Sequence, residues 1–276
     1  MNILITGSNG QLGSEIRDII YNYSDFKFIF MDLPELDICN NDQLEKIIID
    51  QKITAVVNCA AYTAVDKAEQ DEATADEVNS RGVLNLVNIL KKVNGKLIHI
   101  STDYVFDGNS FLPYQELDKV NPIGVYGNTK RRGELAVINS DIDAIVIRTS
   151  WLYSAYGNNF VKTMLRLGNE REELGVVFDQ VGTPTSAIDL AKTCLDILTH
   201  SKETNMNSKG NLYHFSNEGV ASWYDFSIAI MNLGKLNCRV KPIETKDYPK
   251  AAKRPHFSVL NKSKIKNDFE IDIPYW

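Results

Sequence analysis

A tyrosine and a lysine four residues apart are the first side chains in this sequence that could do chemistry together. Tyr126 and Lys130 begin a predicted helix over 126–138, and their spacing places both side chains on one helix face. A neighbouring ammonium stabilises a phenolate, so we expect Lys130 to lower the pKa of Tyr126 from its ordinary value of ~10. Tyr126 would then serve as a general acid toward a carbonyl oxygen. Such pairs are common by chance, so their position in the fold decides what they mean.

A threonine lies where it could bind the same oxygen. Thr102 follows a predicted strand over 97–100 and precedes Tyr126 by 24 residues. In an open sheet of parallel strands, ligands bind at the carboxyl ends of the strands. A hydroxyl at a strand end is also common in turns, and for Thr102 taken alone that interpretation stays open.

A glycine-rich turn near the N-terminus is typical of a dinucleotide site. The residues GSNGQLG follow a predicted strand over 3–6 and open a predicted helix over 11–21. Glycines let the backbone approach a pyrophosphate, and the helix N-terminus supplies N–H donors and a positive dipole end. A carboxylate 19 residues after the last glycine, at the end of the second predicted strand, can bind the adenine-ribose hydroxyls. The predicted site consists of Gly7, Ser8, Asn9, Gly10, Gln11, Leu12, Gly13 and Asp32. An ordinary glycine turn beside a surface acid is the alternative.

Asp32 also bears on which dinucleotide binds. A carboxylate repels a 2′-phosphate, so the residues by themselves favour NADH over NADPH. Asp37 and Ile38 are predicted to border the adenine. Small residues after the third predicted strand would let the backbone lie against a flat cofactor, and this stretch is Ala60, Ala61, Tyr62 and Thr63. Helix–sheet packing is an equally good interpretation of that stretch.

Predicted strands alternate with predicted helices through the first half of the chain. The strands are 3–6, 28–31, 55–59, 97–100 and 144–147, and the helices are 11–21, 43–49, 73–91 and 126–138. Because the strands are apolar on both faces, they fit a parallel sheet that is covered by helices on both sides. The sequence therefore predicts an α/β fold with a doubly wound parallel sheet of the Rossmann type.

The pattern changes after Ser150. We predict a dinucleotide-binding domain from residues 1–150 and about 186–216, and a smaller α/β substrate lobe from about 151–185 and 217–276. A polar loop is expected at 201–210. A lobe of this kind could cover a ligand at the carboxyl ends of the strands.

Composition excludes several classes of protein. The chain has 276 residues, 43% hydrophobic and 24% charged, as a globular protein does. A net charge of −6 makes it a poor general binder of nucleic acid or of an anionic membrane surface. No apolar run approaches the ~18 residues of a membrane span, and no signal peptide is expected. The four cysteines form no C-x-x-C pair, so we expect a reduced cytoplasmic protein without a metal site.

Taken together, these features resemble the extended short-chain dehydrogenases/reductases. Longer blocks resemble one branch, the dTDP-4-dehydrorhamnose reductase family: NCAAYTAVDKAE (58–69), STDYVF (101–106), RTSWLY (148–153), GNNFVKTMLR (157–166) and RPHFSVL (254–260). The resemblance implies reduction of dTDP-4-dehydro-6-deoxy-L-mannose to dTDP-L-rhamnose, a donor for bacterial surface polysaccharide. It implies NADPH or NADH as cofactor, and Thr102, Tyr126 and Lys130 as the catalytic residues.

The resemblance implies further site residues. Asn79 matches an asparagine associated with the proton relay and the cofactor, although a helix-surface amide is the alternative. Trp151 matches a substrate-pocket position and could instead be a core residue. The substrate-binding positions that the resemblance implies are Val65, Thr102, Asp103, Tyr104, Tyr126, Trp151 and Arg254, with Arg254 toward the pyrophosphate of the substrate.

One family feature is altered in this sequence. Some members bind Mg²⁺ through glutamates at a homodimer contact, and Glu15 matches one such position. Ile188 stands where the family has another glutamate, which argues against the metal. Two other functions stay open: a reductase of a related nucleotide 4-keto-6-deoxysugar, and a non-catalytic regulatory subunit on the same fold.

Overall fold

The computed structural model describes residues 1–201 and 212–276. Its strands are β1 (Asn2–Thr6), β2 (Lys27–Met31), β3 (Ala55–Asn58), β4 (Lys96–Thr102), β5 (Asp143–Thr149), β6 (Leu152–Tyr153), β7 (Glu173–Val177), β8 (Val181–Gly182), β9 (Thr185–Ser186), β10 (Leu212–His214), β11 (Ala221–Ser222) and β12 (Arg239–Ile243). Its α-helices are α1 (Gln11–Ile19), α2 (Asn41–Asp50), α3 (Val65–Ala68), α4 (Glu72–Asp76), α5 (Gly82–Lys92), α6 (Val125–Ile138), α7 (Phe160–Glu170), α8 (Ala187–His200), α9 (Trp223–Leu233) and α10 (Ser263–Phe269). All but the first residue of the predicted polar loop at 201–210 lies outside the described ranges.

A six-stranded parallel sheet forms the centre of the molecule. Its strand order is β10-β5-β4-β3-β1-β2, and every neighbouring pair is parallel. The chain runs from β1 outward to β2 and then returns to add β3 on the other side of β1. This reversal places a crevice at the carboxyl ends of β1 and β3, where such sheets bind ligands. The predicted doubly wound parallel sheet is confirmed.

Alternation along the strands builds a core on each face of the sheet. In β1, Ile3 and Ile5 face a core that includes α1 and α8, whereas Leu4 faces one that includes α2 and α5. Successive side chains of a strand point to opposite faces, so a strand that is apolar throughout must be covered twice.

The helix predicted over 73–91 is interrupted. The structure has α4, a π-helical turn over Glu77–Arg81, and then α5. The backbone carbonyl of Asn79 in this turn lies against Gly133 of α6, where a Cβ atom would collide with it. Close packing of two helices at a glycine depends on residues far apart in the chain, so local periodicity does not reveal it.

A smaller lobe has its own core. The parallel pair of β7 with β12 packs against α7 and α9, with a cluster that includes Met164, Phe226 and Ile230. Strand β7 was not among the predicted elements. Ile265 and Ile273 belong to the core of the sheet domain, although all of 217–276 is predicted to lie in the lobe. Within the described ranges, no helix is long and apolar enough to cross a membrane.

Candidate active site

A cleft of about 760 Å³ lies at the carboxyl ends of the central strands, between the sheet domain and the lobe. Most predicted site residues line it: Gly7, Gly10, Gln11, Leu12, Asp32, Asp37, Ile38, Ala60, Ala61, Tyr62, Thr63, Val65, Thr102, Asp103, Tyr104, Tyr126, Lys130 and Trp151. The predicted residues that do not line it are Ser8, Asn9, Gly13, Asn79 and Arg254.

The glycine turn has no room for side chains at two of its positions. Gly7 has φ +58°, and a Cβ atom there would lie 2.6 Å from the backbone nitrogen of Ala60. A Cβ atom on Gly13 would lie 2.5 Å from the Cα atom of Ser8. At the N-cap of α1, Gly10 places no side chain over the first N–H groups of the helix. These groups are therefore available to an anion, and the turn fits a dinucleotide pyrophosphate.

Asp32 holds the turn in place. Its Oδ2 accepts a hydrogen bond from the Asn9 N–H at 2.8 Å, and its Oδ1 accepts one from the Leu33 N–H at 2.9 Å. A carboxylate can accept about four hydrogen bonds, so Asp32 keeps capacity for ribose hydroxyls.

The pKa of Tyr126 is higher than its position next to Lys130 predicts. Burial raises the pKa of Tyr126 to about 12, with the nearby Thr102 hydroxyl acting in the opposite direction and Asp103 adding to the rise. The expected lowering by Lys130 is wrong for this structure. The Lys130 Nζ donates instead to the carbonyl oxygen of Ile100 at 2.7 Å. Tyr126 therefore carries its proton at neutral pH, as a proton donor must.

Lys130 is itself nearly inaccessible, with 2% of its surface exposed. Burial lowers the pKa of Lys130 to about 8, and the neighbouring Glu134 carboxylate acts in the opposite direction. An ammonium has three donors, so the bond to Ile100 leaves two for groups in the cleft.

Thr102 is the last residue of β4 and begins a short turn. Its Oγ1 donates to Asp103 Oδ1 at 3.1 Å and accepts from the Tyr104 N–H at 3.2 Å. The turn brings the Tyr104 ring edge-on to the Tyr126 ring, with their centroids 5.6 Å apart. Asp103 is 2% exposed, and burial raises its pKa to about 6.

Asn79 is fully buried, so the helix-surface interpretation is wrong. Its side chain accepts from the Tyr62 N–H at 2.9 Å and donates to the Tyr62 carbonyl at 3.0 Å and to Thr129 Oγ1 at 3.1 Å. Asn79 therefore joins the cleft loop to α6 without lining the cleft.

Trp151 and Arg254 are held by partners outside the cleft. Trp151 has φ +48° and stacks on Trp223, with ring centroids 3.5 Å apart, so it both lines the cleft and packs in the lobe. Arg254 donates to the two carboxylate oxygens of Asp66 at 3.2 and 2.8 Å. Its predicted contact with the substrate pyrophosphate stays a prediction.

The cleft is also lined by residues that the sequence did not predict: Leu33, Leu36, Cys59, Thr74, Val78, Ile100, Ser101, Thr149, Ser150, Leu152, Gly157 and Asn158. The residues that end β4 and β5 could have been found, because they lie at the same strand edge as Thr102. Gly157 and Asn158 reach the cleft from the lobe, and no local signal places them there.

Glu15, which matches a family metal position, has a different partner here. It is buried and accepts a hydrogen bond from Ser154 Oγ at 2.6 Å. Ile188 at the other position is 44% exposed and cannot bind a cation. In the part of the chain that the structure describes, no three His, Cys, Asp or Glu side chains are grouped to hold a metal ion.

Comparisons with known proteins identify the family of this chain. The family model described as "RmlD substrate binding domain" matches residues 1–276. A dTDP-4-dehydrorhamnose reductase from Aggregatibacter actinomycetemcomitans is 41% identical, over 99% of this chain and 95% of the relative. The crystal structure of such a reductase from Clostridium acetobutylicum is 41% identical with a TM-score of 0.93, over 100% of this chain and 95% of that one. The Bacillus anthracis reductase, solved in complex with NADP, is 37% identical with the same TM-score and coverage. The sequence blocks and these comparisons lead to one conclusion: the chain belongs to the dTDP-4-dehydrorhamnose reductase family.

Proposed function

We propose that this protein reduces the C4 ketone of dTDP-4-dehydro-6-deoxy-L-mannose, also called dTDP-4-dehydrorhamnose, to dTDP-L-rhamnose with NADPH or NADH. The observation that carries the proposal is that Thr102, Tyr126 and Lys130 line the same cleft as the glycine turn. The family relatives bear the name of this activity.

The residues of the cleft divide into a cofactor side and a reacting side. The first turn of α1 would hold the pyrophosphate, and Asp32 would hold the adenine ribose. When bound, the reduced nicotinamide supplies the hydride. Lys130 would hold the nicotinamide ribose with its two remaining donors.

Tyr126 and Thr102 act on the ketone oxygen of the substrate. Tyr126 holds a proton at Oη that the oxygen at C4 needs as negative charge develops on it. Thr102 offers a hydroxyl to the same oxygen. Tyr104, Val65, Asp103 and Trp151 would contact the sugar, and Arg254 would contact its pyrophosphate.

The proposal includes the cytoplasm as the place of action, which the cysteine usage favours, and a homodimer as the assembly, which the family resemblance implies. Four free cysteines are consistent with a reducing compartment. Light scattering of the purified chain tests the assembly, and a monomer at micromolar concentration would contradict that part.

The direct test mixes the purified chain with enzymatically made dTDP-4-dehydrorhamnose and either NADPH or NADH. We expect reduced-nicotinamide absorbance to fall in proportion to dTDP-L-rhamnose formed. NMR of the product distinguishes rhamnose from an epimeric 6-deoxysugar. Cofactor binding without any oxidation would overturn the proposal and favour a regulatory subunit.

A further inference from the structure

Two observations about the choice of cofactor point in opposite directions. Asp32 directly follows β2, where a carboxylate disfavours the 2′-phosphate of NADPH. The Bacillus anthracis relative, 37% identical, was nevertheless solved with NADP. A site that accepts the 2′-phosphate beside a carboxylate requires a cation close to the adenine ribose.

The lining of the cleft does not supply this cation. Among the described residues that line it, Lys130 is the only basic one. Its Nζ is bound to Ile100 O at the catalytic end. The residues around Asp32, including Leu33, Leu36 and Asp37, carry no positive charge.

Arg17 stands directly behind the lining at the adenine end. Its Nη2 lies 3.4 Å from Ser8 Oγ, and its guanidinium carbon lies 4.8 Å from the centre of the Phe30 ring. Phe30 is two residues before Asp32, which directly follows β2, so in the extended chain both side chains project to the same side. Ser8 precedes Asn9, whose N–H binds Asp32. Arg17 therefore lies on the side of β2 where the ribose hydroxyls are expected.

The charge of Arg17 is available to a ligand. Its side chain is exposed, and no carboxylate lies within 4.0 Å of it in the described part of the chain. The face of Phe30 holds the guanidinium plane by a cation–π contact. A planar guanidinium held in this way can bind a phosphate through two parallel hydrogen bonds.

The negative charge of Asp32 is also partly compensated by hydrogen bonds. Each of its oxygens accepts a hydrogen bond from a backbone N–H, of Asn9 and of Leu33. Hydrogen bonds to the charged form spread its negative charge, so the repulsion of a nearby phosphate is weaker than from a bare carboxylate.

We propose that Arg17, held in place by Ser8 and Phe30, forms a 2′-phosphate subsite that lets this cleft bind NADPH in spite of Asp32. The inference rests on the proposed function, because it assumes that the cleft binds a nicotinamide dinucleotide. It adds the residue that distinguishes the two cofactors.

The test measures binding of nucleotide fragments by calorimetry, without any sugar substrate. Arg17→Gln keeps a polar side chain of similar reach and removes the charge. We expect this variant to bind 2′,5′-ADP about tenfold more weakly than the unaltered chain and to bind 5′-ADP equally well. Arg166→Gln, an exposed arginine on α7, is the matched control and leaves both affinities unchanged. Asp32→Asn should strengthen binding of 2′,5′-ADP.

Three outcomes would overturn the inference. Arg17→Gln could weaken both fragments equally, which would indicate a general role in the turn. It could weaken neither, which would place the subsite elsewhere. The unaltered chain could bind neither fragment, which would contradict the proposed dinucleotide site as well. A chain that binds the fragments as expected but does not oxidise NADPH with the keto-sugar would contradict only the proposed function.

Discussion

The Tyr126 hydroxyl holds the proton on which the proposed reduction depends. Burial that raises its pKa to about 12 keeps this proton in place throughout the neutral range. A reductase needs the protonated form, so the rise suits the direction of the reaction. The reverse reaction, oxidation of the alcohol to the ketone, would need the phenolate as a proton acceptor and would be favoured at higher pH.

Tyr126→Phe tests this assignment. The change removes the proton and leaves the ring that packs against Tyr104. We expect kcat to fall at least about 100-fold, since general acid catalysis contributes this much, while the Kd for the cofactor stays the same. Steady-state kinetics and a fluorescence titration with NADPH measure the two quantities. A rate near that of the unaltered chain would show that another group is the acid.

Asp103 illustrates the stability cost of a buried acid beside an active site. Burial raises its pKa from the ordinary 3.8 to about 6. A raised pKa means that the folded chain binds the proton more tightly than the unfolded chain. Proton binding therefore contributes to the stability of the fold, and this contribution is complete below about pH 4. It is lost as the pH rises through about 6.

Asp103→Asn changes the free energy of unfolding by an amount that depends on pH. We expect this change to be more favourable to the folded state at pH 8 than at pH 4, by about 2 kcal/mol. The amide oxygen can still accept the hydrogen bond from Thr102. Urea unfolding of both proteins at the two pH values measures the difference. An equal difference at both values would mean that Asp103 does not titrate in this range.

At the scale of elements, a buried carboxylate connects α6, which carries Tyr126 and Lys130, to the sheet. Glu134 lies one turn after Lys130 on α6 and is fully buried. It accepts from Ser101 Oγ at 2.6 Å, from Arg148 Nε at 2.8 Å and Nη2 at 2.9 Å, and from Arg131 Nη1 at 2.7 Å. Ser101 and Arg148 are register partners in β4 and β5, so one carboxylate joins α6 to two strand ends.

Glu134→Gln should lower the free energy of unfolding by about 3 kcal/mol, because it leaves the Arg148 charge buried without its carboxylate. It should also lower the pKa of Lys130 below its value of about 8, because Glu134 raises that pKa. The alkaline limb of the pH–rate profile, where Lys130 loses its proton, should move to lower pH.

The matched control is Glu170→Gln, whose ion pair with Arg166 on α7 is exposed. Exposed pairs contribute about 0–1 kcal/mol, so little change is expected. Loss of stability in Glu134→Gln with an unmoved alkaline limb would contradict the electrostatic part of the prediction and leave only a structural role.

At the scale of the whole molecule, a segment of the lobe crosses α1. This segment, residues 154–159, is called the strap. Ser154 donates to Glu15, Tyr156 OH donates to Asp18 at 2.6 Å, and Asn159 donates to Gln11 at 3.0 Å. The three acceptors follow one face of α1, four and three residues apart. Between the donors, Gly157 and Asn158 line the cleft beside the glycine turn. The strap therefore covers the predicted pyrophosphate site.

Tyr156→Phe removes one of these three bonds and should speed cofactor release. A hydrogen bond contributes about 0.5–1.5 kcal/mol net, so an increase of roughly 2–10-fold in the dissociation rate is expected. Stopped-flow displacement of NADPH measures it. Tyr21→Phe, at an exposed tyrosine after α1, is the control. If both variants release NADPH at the unaltered rate, the strap does not restrain the cofactor.

The sequence by itself determined the parts of this protein that depend on neighbouring residues. The apolar strands predict a sheet covered on both faces, because side chains alternate every second residue. The spacing of Gly7, Gly10 and Gly13 after a strand predicts the turn, because glycine adopts the backbone conformations that a tight turn requires. Tyr126 and Lys130 share a helix face because residues four apart lie one turn apart.

Only the tertiary structure decided what depends on residues far apart in the chain. Burial raises the pKa of Tyr126, and Lys130 binds the carbonyl oxygen of Ile100; the four-residue spacing reveals neither. Arg254 meets Asp66, and Gly157 reaches the cleft from the lobe, through packing over long sequence separations. Propensity and spacing are properties of a short segment, whereas desolvation and long-range partners are set by how all the segments pack together.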